Sequence, residues 1–200
     1  MSAMGCDDLD SWGVRWDPAS PVTISMQSKR DIERLVRASD FPLGYTILRP
    51  GFFMANFVGG KAAGYTAGGV WTTALLPETR LPMVDHEDVA RFAVAAFRDP
   101  ERFRGAEIPL YSELREPGLL VEMLGDATGK QFEVRFMSEQ DVERNMANPL
   151  VMAQVVMREM VRFAGDGASG EKWGVGMTGF EEFLRREKQA LGDTYAELGR

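Results

Sequence analysis

Cysteine and histidine are almost absent, since the 200 residues hold one of each, Cys6 and His86. A single thiol excludes an internal disulfide and a zinc site of the paired-cysteine kind, and it suits a reducing compartment. His86 opens the run His86-Glu87-Asp88-Val89-Ala90, which lacks the second histidine of a zinc-binding His-Glu-x-x-His motif. Metal ligation would have to rest on carboxylates, and no cluster of them is visible, so no metal is expected. Bases are also scarce, 23 against 30 acids for a net charge of −7. A negative surface repels phosphate backbones, so direct nucleic-acid binding is not expected. No apolar run approaches the roughly 20 residues needed to span a bilayer. The first eight residues show neither the basic nor the apolar block of a signal peptide. These absences predict a soluble, cytoplasmic protein with no membrane attachment.

What is present is core material, with 44% hydrophobic and 10% aromatic residues, enough for one large domain or a domain with an appended lobe. Residues 1–23 carry Trp12, Trp16, Pro18 and Pro21 without a sustained period and read as a loop or partly ordered lead-in. From Ile24 a helix is predicted, with Ile32, Leu35 and Val36 on one side and Lys29, Arg30, Glu33, Arg34 and Arg37 on the other. Tyr45-Thr46-Ile47-Leu48 is a strand halted by Arg49-Pro50-Gly51, and a helix is expected to start within Phe52–Phe57. A second strand lies near Leu81–Val84. Asp85 is placed to cap the next helix, in which Val89, Phe92, Ala93, Ala96 and Phe97 recur at helical spacing up to Asp99-Pro100. A strand over Glu107–Tyr111 comes next. Beyond it the chain is mainly helical, apart from the alternating strand around Phe132, Val134 and Phe136. The order is α/β, with a helical tail that reads as an added lobe.

Several residues invite a chemical reading. Gly165-Asp166-Gly167-Ala168-Ser169-Gly170 and Gly174-Val175-Gly176-Met177-Thr178-Gly179 both match the letters of a dinucleotide fingerprint. The mechanism needs a strand before the glycines and a βαβ unit after them, which neither stretch has, so both are expected to be loops. Nothing positions a serine, histidine and acid triad. Cys6 stands beside two acids, which would raise its pKa and make it a poor nucleophile. Phe52, Phe53, Met54, Phe57 and Trp71 are core if their segment folds inward and a pocket wall if it stays open. Lys29, read alone, is a solvated lysine on an amphipathic helix.

Its neighbourhood changes that reading. Ser28-Lys29-x-x-Ile32-Glu33-x-x-Val36-Arg37, then Tyr45-Thr46-Ile47-Leu48-Arg49-Pro50-Gly51-Phe52-Phe53-Met54-x-Asn56-Phe57, resembles the NmrA-like and isoflavone-reductase-like atypical short-chain dehydrogenases. Leu81-Pro82-Met83-Val84-Asp85-x-Glu87-Asp88-Val89-Ala90 and Phe97-x-Asp99-Pro100-x-x-Phe103-x-Gly105 resemble the same family in the same order. The resemblance covers roughly residues 12–136 and runs more loosely through Thr178–Leu184. It implies an incomplete Rossmann-type parallel sheet with a mainly helical C-terminal substrate lobe, divided as 1–111 and 112–200. It also implies NADP as cofactor, with Lys29 at the nicotinamide ribose and Phe53, Met54, Ala55 and Asn56 closing over the ring. The implied activity is hydride transfer to a small organic substrate, in secondary metabolism. The alternatives are a non-catalytic NADP-sensing regulator that binds a protein partner, or an inactive truncated copy.

Two departures stand out. The family's first strand, glycine-rich turn and ribose-selecting residue have no counterpart, and Ser25 stands where many short-chain dehydrogenases carry tyrosine. Without the first strands, a central strand becomes an edge with unpaired backbone groups. The expected outcome is a homodimer that seals that edge or a marginally stable monomer.

Overall fold

The computed structural model describes residues 2–199. Helix α1 (Pro21–Ala38) leads to strands β1 (Thr46–Pro50) and β2 (Phe52–Phe53), and β3 (Val70–Thr73) and β4 (Leu81–Val84) precede α2 (His86–Arg98) and the single turn α3 (Pro100–Phe103). Strands β5 (Ala106–Leu110) and β6 (Glu113–Arg115) come next, then α4 (Pro117–Thr128), β7 (Glu133–Phe136), α5 (Glu139–Asn145) and α6 (Pro149–Met157). Three short helices close the chain: α7 (Ser169–Trp173), α8 (Phe180–Arg186) and α9 (Lys188–Thr194).

The sheets are short and mostly parallel. β1 pairs with β5, β2 with β4, and β3 with β7, all parallel, while β6 adds to β4 antiparallel. Side chains alternate across a strand, and the β1–β5 pair uses both of its faces. Leu48, Ile108 and Leu110 turn one way and pack with Phe92 of α2 and with Val84 and Phe103. Arg49 and Glu107 lie on the opposite face, where α1 supplies Glu33 and Arg37. A helix on each face of a parallel pair is the doubly wound α/β arrangement expected from the sequence. A separate apolar core gathers Phe52, Met54, Phe57 and Trp71 with Leu120, Leu124, Phe180, Phe183 and Tyr195, so the segment after β2 is pinned by the last helices.

Gly51 is the hinge between β1 and β2. A Cβ there would collide with the carbonyl oxygen of Pro82, so the chain can leave β5 and cross to β4 at that point only because the residue is glycine.

Three expectations are corrected. Residues 2–20 are not a loose lead-in: Met4, Cys6, Leu9 and Trp12 are buried, and Leu9–Trp12 forms a 3-10 helix. The amides of Ser2 and Met4 donate to the carbonyls of Leu48 and Pro50 at 2.8 and 3.4 Å, so this segment runs along the side of β1 that β5 leaves open. Second, α1 presents the other face from the one its apolar spacing suggested. Ile32 and Leu35 are 60% and 69% exposed, whereas Glu33 is 2% exposed because Arg49 and Arg37 hold its carboxylate. Third, the first glycine-rich stretch, expected to be a loop, ends in α7, and β3 and β6 lie where no element was predicted.

Candidate functional site

The carboxyl ends of parallel strands are where doubly wound folds bind ligands. β2 and β4 end together, with Phe53 opposite Val84. The two segments leaving these strands therefore emerge side by side: Met54–Phe57 as a 3-10 helix and Asp85–His86 at the start of α2. Asp85 caps that helix as expected, its carboxylate accepting the Glu87 amide at 3.3 Å. Arg186 of α8 donates to both Asp85 oxygens, one of them at 3.1 Å. Burial works to raise the Asp85 pKa, yet the Arg186 hydrogen bonds, the Glu87 amide and the nearby positive charges outweigh it, and the group is held below its ordinary value. A buried aspartate thus stays ionised directly beside His86.

Between these segments lies a cavity of about 330 Å³, lined by Ala55, Val58, Gly60, Lys61, His86, Phe183 and Glu187. The residues singled out in the sequence divide around it. Ala55 lines the cavity, and Phe53 and Asn56 are half-buried beside it in the chain. Met54 is fully buried in the core, so only its backbone is free to meet a ligand. Phe52, Phe57 and Trp71 are core as well. Among the described residues the side-chain amide of Asn56 has no hydrogen-bond partner. Lys29 stands on α1 and donates to Ser25 Oγ, one turn back, at 3.2 Å, and no described hydrogen bond joins it to residues 53–56. His86, without a zinc partner, carries no role by sequence alone. The signal that could have found it is its place directly after a capping aspartate at a strand end.

The second glycine-rich stretch is a loop, as expected, whereas the first runs into α7 at Ser169. Ser169 in the first is tied to β5, its hydroxyl accepting the Tyr111 amide at 3.2 Å, and the residues before Ser169 form no strand. In the second, the Thr178 amide is already spent on buried Asp88 at 2.8 Å. In the first stretch the Ser169 amide is likewise used, on the Tyr111 carbonyl at 3.3 Å. No described strand leads into either stretch, so neither forms the strand, turn and helix that hold a pyrophosphate.

A second charged cluster lies on the α1 face of the sheet. Asp7, Glu33 and Glu107 converge closely enough to hold a cation, but that cation is Arg49, bonded to Glu33 through two nitrogens at 2.9 and 2.7 Å and to Glu107 at 2.5 Å. Arg37 joins Glu33 and Glu107 from α1. Cys6 is buried and donates its thiol to Glu33 at 3.2 Å. Burial chiefly raises its pKa, and the Glu33 charge adds to that. This agrees with the expectation of a poor nucleophile.

The match to a family model decides the relationship, because the NmrA-like family covers residues 14–197. The chain belongs to the NmrA-like family. Solved structures share the fold of this NmrA-like chain. An NADPH-dependent quinone oxidoreductase from Escherichia coli is similar at 18% identity and a TM-score of 0.69, with 92% of this chain and 65% of that one covered. A nucleoside-diphosphate-sugar epimerase from Staphylococcus aureus is similar at 15% identity and TM-score 0.59, covering 84% and 61%. NmrA, a negative transcriptional regulator solved in complex with NADP, is similar at 20% identity and TM-score 0.53, covering 83% and 60%. The NmrA-like chain thus spans less than two thirds of the length of these structures. A comparison with curated protein sequences finds no match. No helix among the described residues is long and apolar enough to cross a membrane.

Proposed function

We propose that this NmrA-like chain is an NADP-linked oxidoreductase that transfers a hydride to a small organic substrate with a carbonyl or activated double bond, in secondary metabolism. The observation that carries this reading is the cavity beside Ala55 at the joint carboxyl ends of β2 and β4. Phe53, Met54, Ala55 and Asn56 would close over the nicotinamide, with the Asn56 amide free to bond the carboxamide or ribose. Lys29 would bind the ribose hydroxyls by turning its ammonium away from Ser25. The cofactor supplies a hydride donor, and the surrounding apolar residues keep water from it. An NADPH fluorescence titration tests the reading. The wild type is expected to bind, and Lys29→Ala to bind about tenfold more weakly, the loss of one charge-assisted hydrogen bond. Negligible binding by both chains refutes it.

A second reading is a non-catalytic, NADP-sensing regulator that binds a protein partner. It draws on the exposed apolar stripe of α1, in which Ile24, Ile32 and Leu35 meet solvent. NADPH binding without oxidation by any carbonyl compound would favour it.

A further inference from the structure

His86 is the only histidine in the chain, and its imidazole is 56% exposed at the mouth of the cavity lined by Ala55, Val58 and Phe183. Its Nδ1 lies 3.2 Å from Oδ1 of Asp85. That aspartate cannot swing away, because it is fully buried, caps α2 and is gripped by Arg186, which in turn meets Glu87 at 3.0 Å and Glu187 at 2.9 Å. A carboxylate close to Nδ1 leaves Nε2 as the nitrogen open to a ligand. The arrangement is a fixed carboxylate, a histidine beside it and a cavity of a size that takes a compound of one or two rings. A surface histidine at a helix start would need none of the other parts.

We infer that His86, oriented by Asp85, is the proton donor for an uncharged aromatic carbonyl compound seated against Ala55, Val58 and Phe183, an inference that rests on the reductase reading above. The hydride, from a dihydronicotinamide, adds to the carbonyl carbon and the C=O π pair moves onto oxygen. That oxygen takes the Nε2 proton of His86, giving the alcohol. The dihydronicotinamide is oxidised and the carbonyl reduced. Neutral His86 keeps its Nδ1 proton towards Asp85 and is reprotonated from water. Lys61 and Glu187 both line the cavity; Glu187 is paired with Arg186 at 2.9 Å, and Lys61 is the cation left to add positive potential where negative charge develops on oxygen.

A sole histidine gives an unambiguous signal. Carbon-edited NMR of its imidazole, with acetophenone titrated into the cofactor-free full chain, is expected to show a saturable shift with a Kd near about 1 mM. An unshifted histidine overturns the site whatever the cofactor does. In the second arm, NADPH oxidation by benzaldehyde is followed for wild type and His86→Gln. The variant is expected to bind NADPH within twofold of wild type and to lose about a hundredfold in kcat. Added imidazole is expected to restore part of the rate to His86→Ala, which a structural role would not produce. A His86→Gln rate within twofold of wild type, or a wild type that binds both ligands and leaves NADPH unoxidised, overturns proton donation. If the chain binds no NADPH while its histidine still shifts, the reductase reading and the proton step fall and the cavity stands as a binding site.

Discussion

Glu33 is the residue on which the N-terminal part of the fold turns. Its carboxylate joins α1 to β1 through Arg49 and accepts the Cys6 thiol, with Arg37 closing the cluster from its own helix. Burial would raise its pKa, but the hydrogen bonds from Arg49, Ser2 and Cys6 and the Arg49 charge prevail, and it falls from an ordinary 4.5 to about 2. Because the folded value is the lower one, the stabilisation is complete above the unfolded value and is lost as pH falls towards about 2. Urea midpoints of the wild type should therefore drop across that window. Glu33→Gln leaves Arg49 paired with Glu107 and Asp7 but removes its bonds to a buried carboxylate, and should cost about 1.5–3 kcal/mol at neutral pH. It should also show a flatter acid limb, and an unchanged denaturation curve would contradict this account.

Elements late in the chain hold the segment that forms the cavity. The Tyr195 hydroxyl, just beyond α9, donates to the carbonyl of Phe57 at 2.7 Å and lies 2.6 Å from the Thr66 hydroxyl. Burial pushes its pKa up to about 12, although the Thr66 bond acts the other way, so it is a permanent donor. Tyr195→Phe leaves the Phe57 carbonyl without this partner and should cost about 1–2 kcal/mol. Hydrogen exchange should quicken over residues 57–67 while β1 and β5 keep their protection, and uniform acceleration would point to global destabilisation instead. Local patterns revealed some elements well. The period of Val89, Phe92, Ala93 and Ala96 and the cap at Asp85 define α2 because both signals act within a few residues. The same logic misplaced the face of α1. An ion cluster formed with a strand 16 residues away outweighs the pull of Ile32 and Leu35 into the core.

For the whole molecule, the decisive feature is a parallel sheet with one side of β1 covered only by residues 2–4, together with an apolar α1 stripe in water. Such a surface should favour self-association. Light scattering is expected to show a dimer that dissociates on dilution, and Leu35→Glu should shift the equilibrium to monomer. A wild type that stays monomeric at high concentration would remove the homodimer from consideration.

The composition and motifs by themselves determined the α/β class, the cap at Asp85, the loop at the second glycine-rich stretch and the family resemblance, since each depends on spacing within a short stretch. The tertiary structure alone decided that Glu33 is interior while Ile32 is not, that Met54 is core, and that His86 shares a cavity with Ala55. Those outcomes depend on which strand ends lie next to each other and which charges meet across the sheet. Pairings between residues distant in the chain leave no period to read.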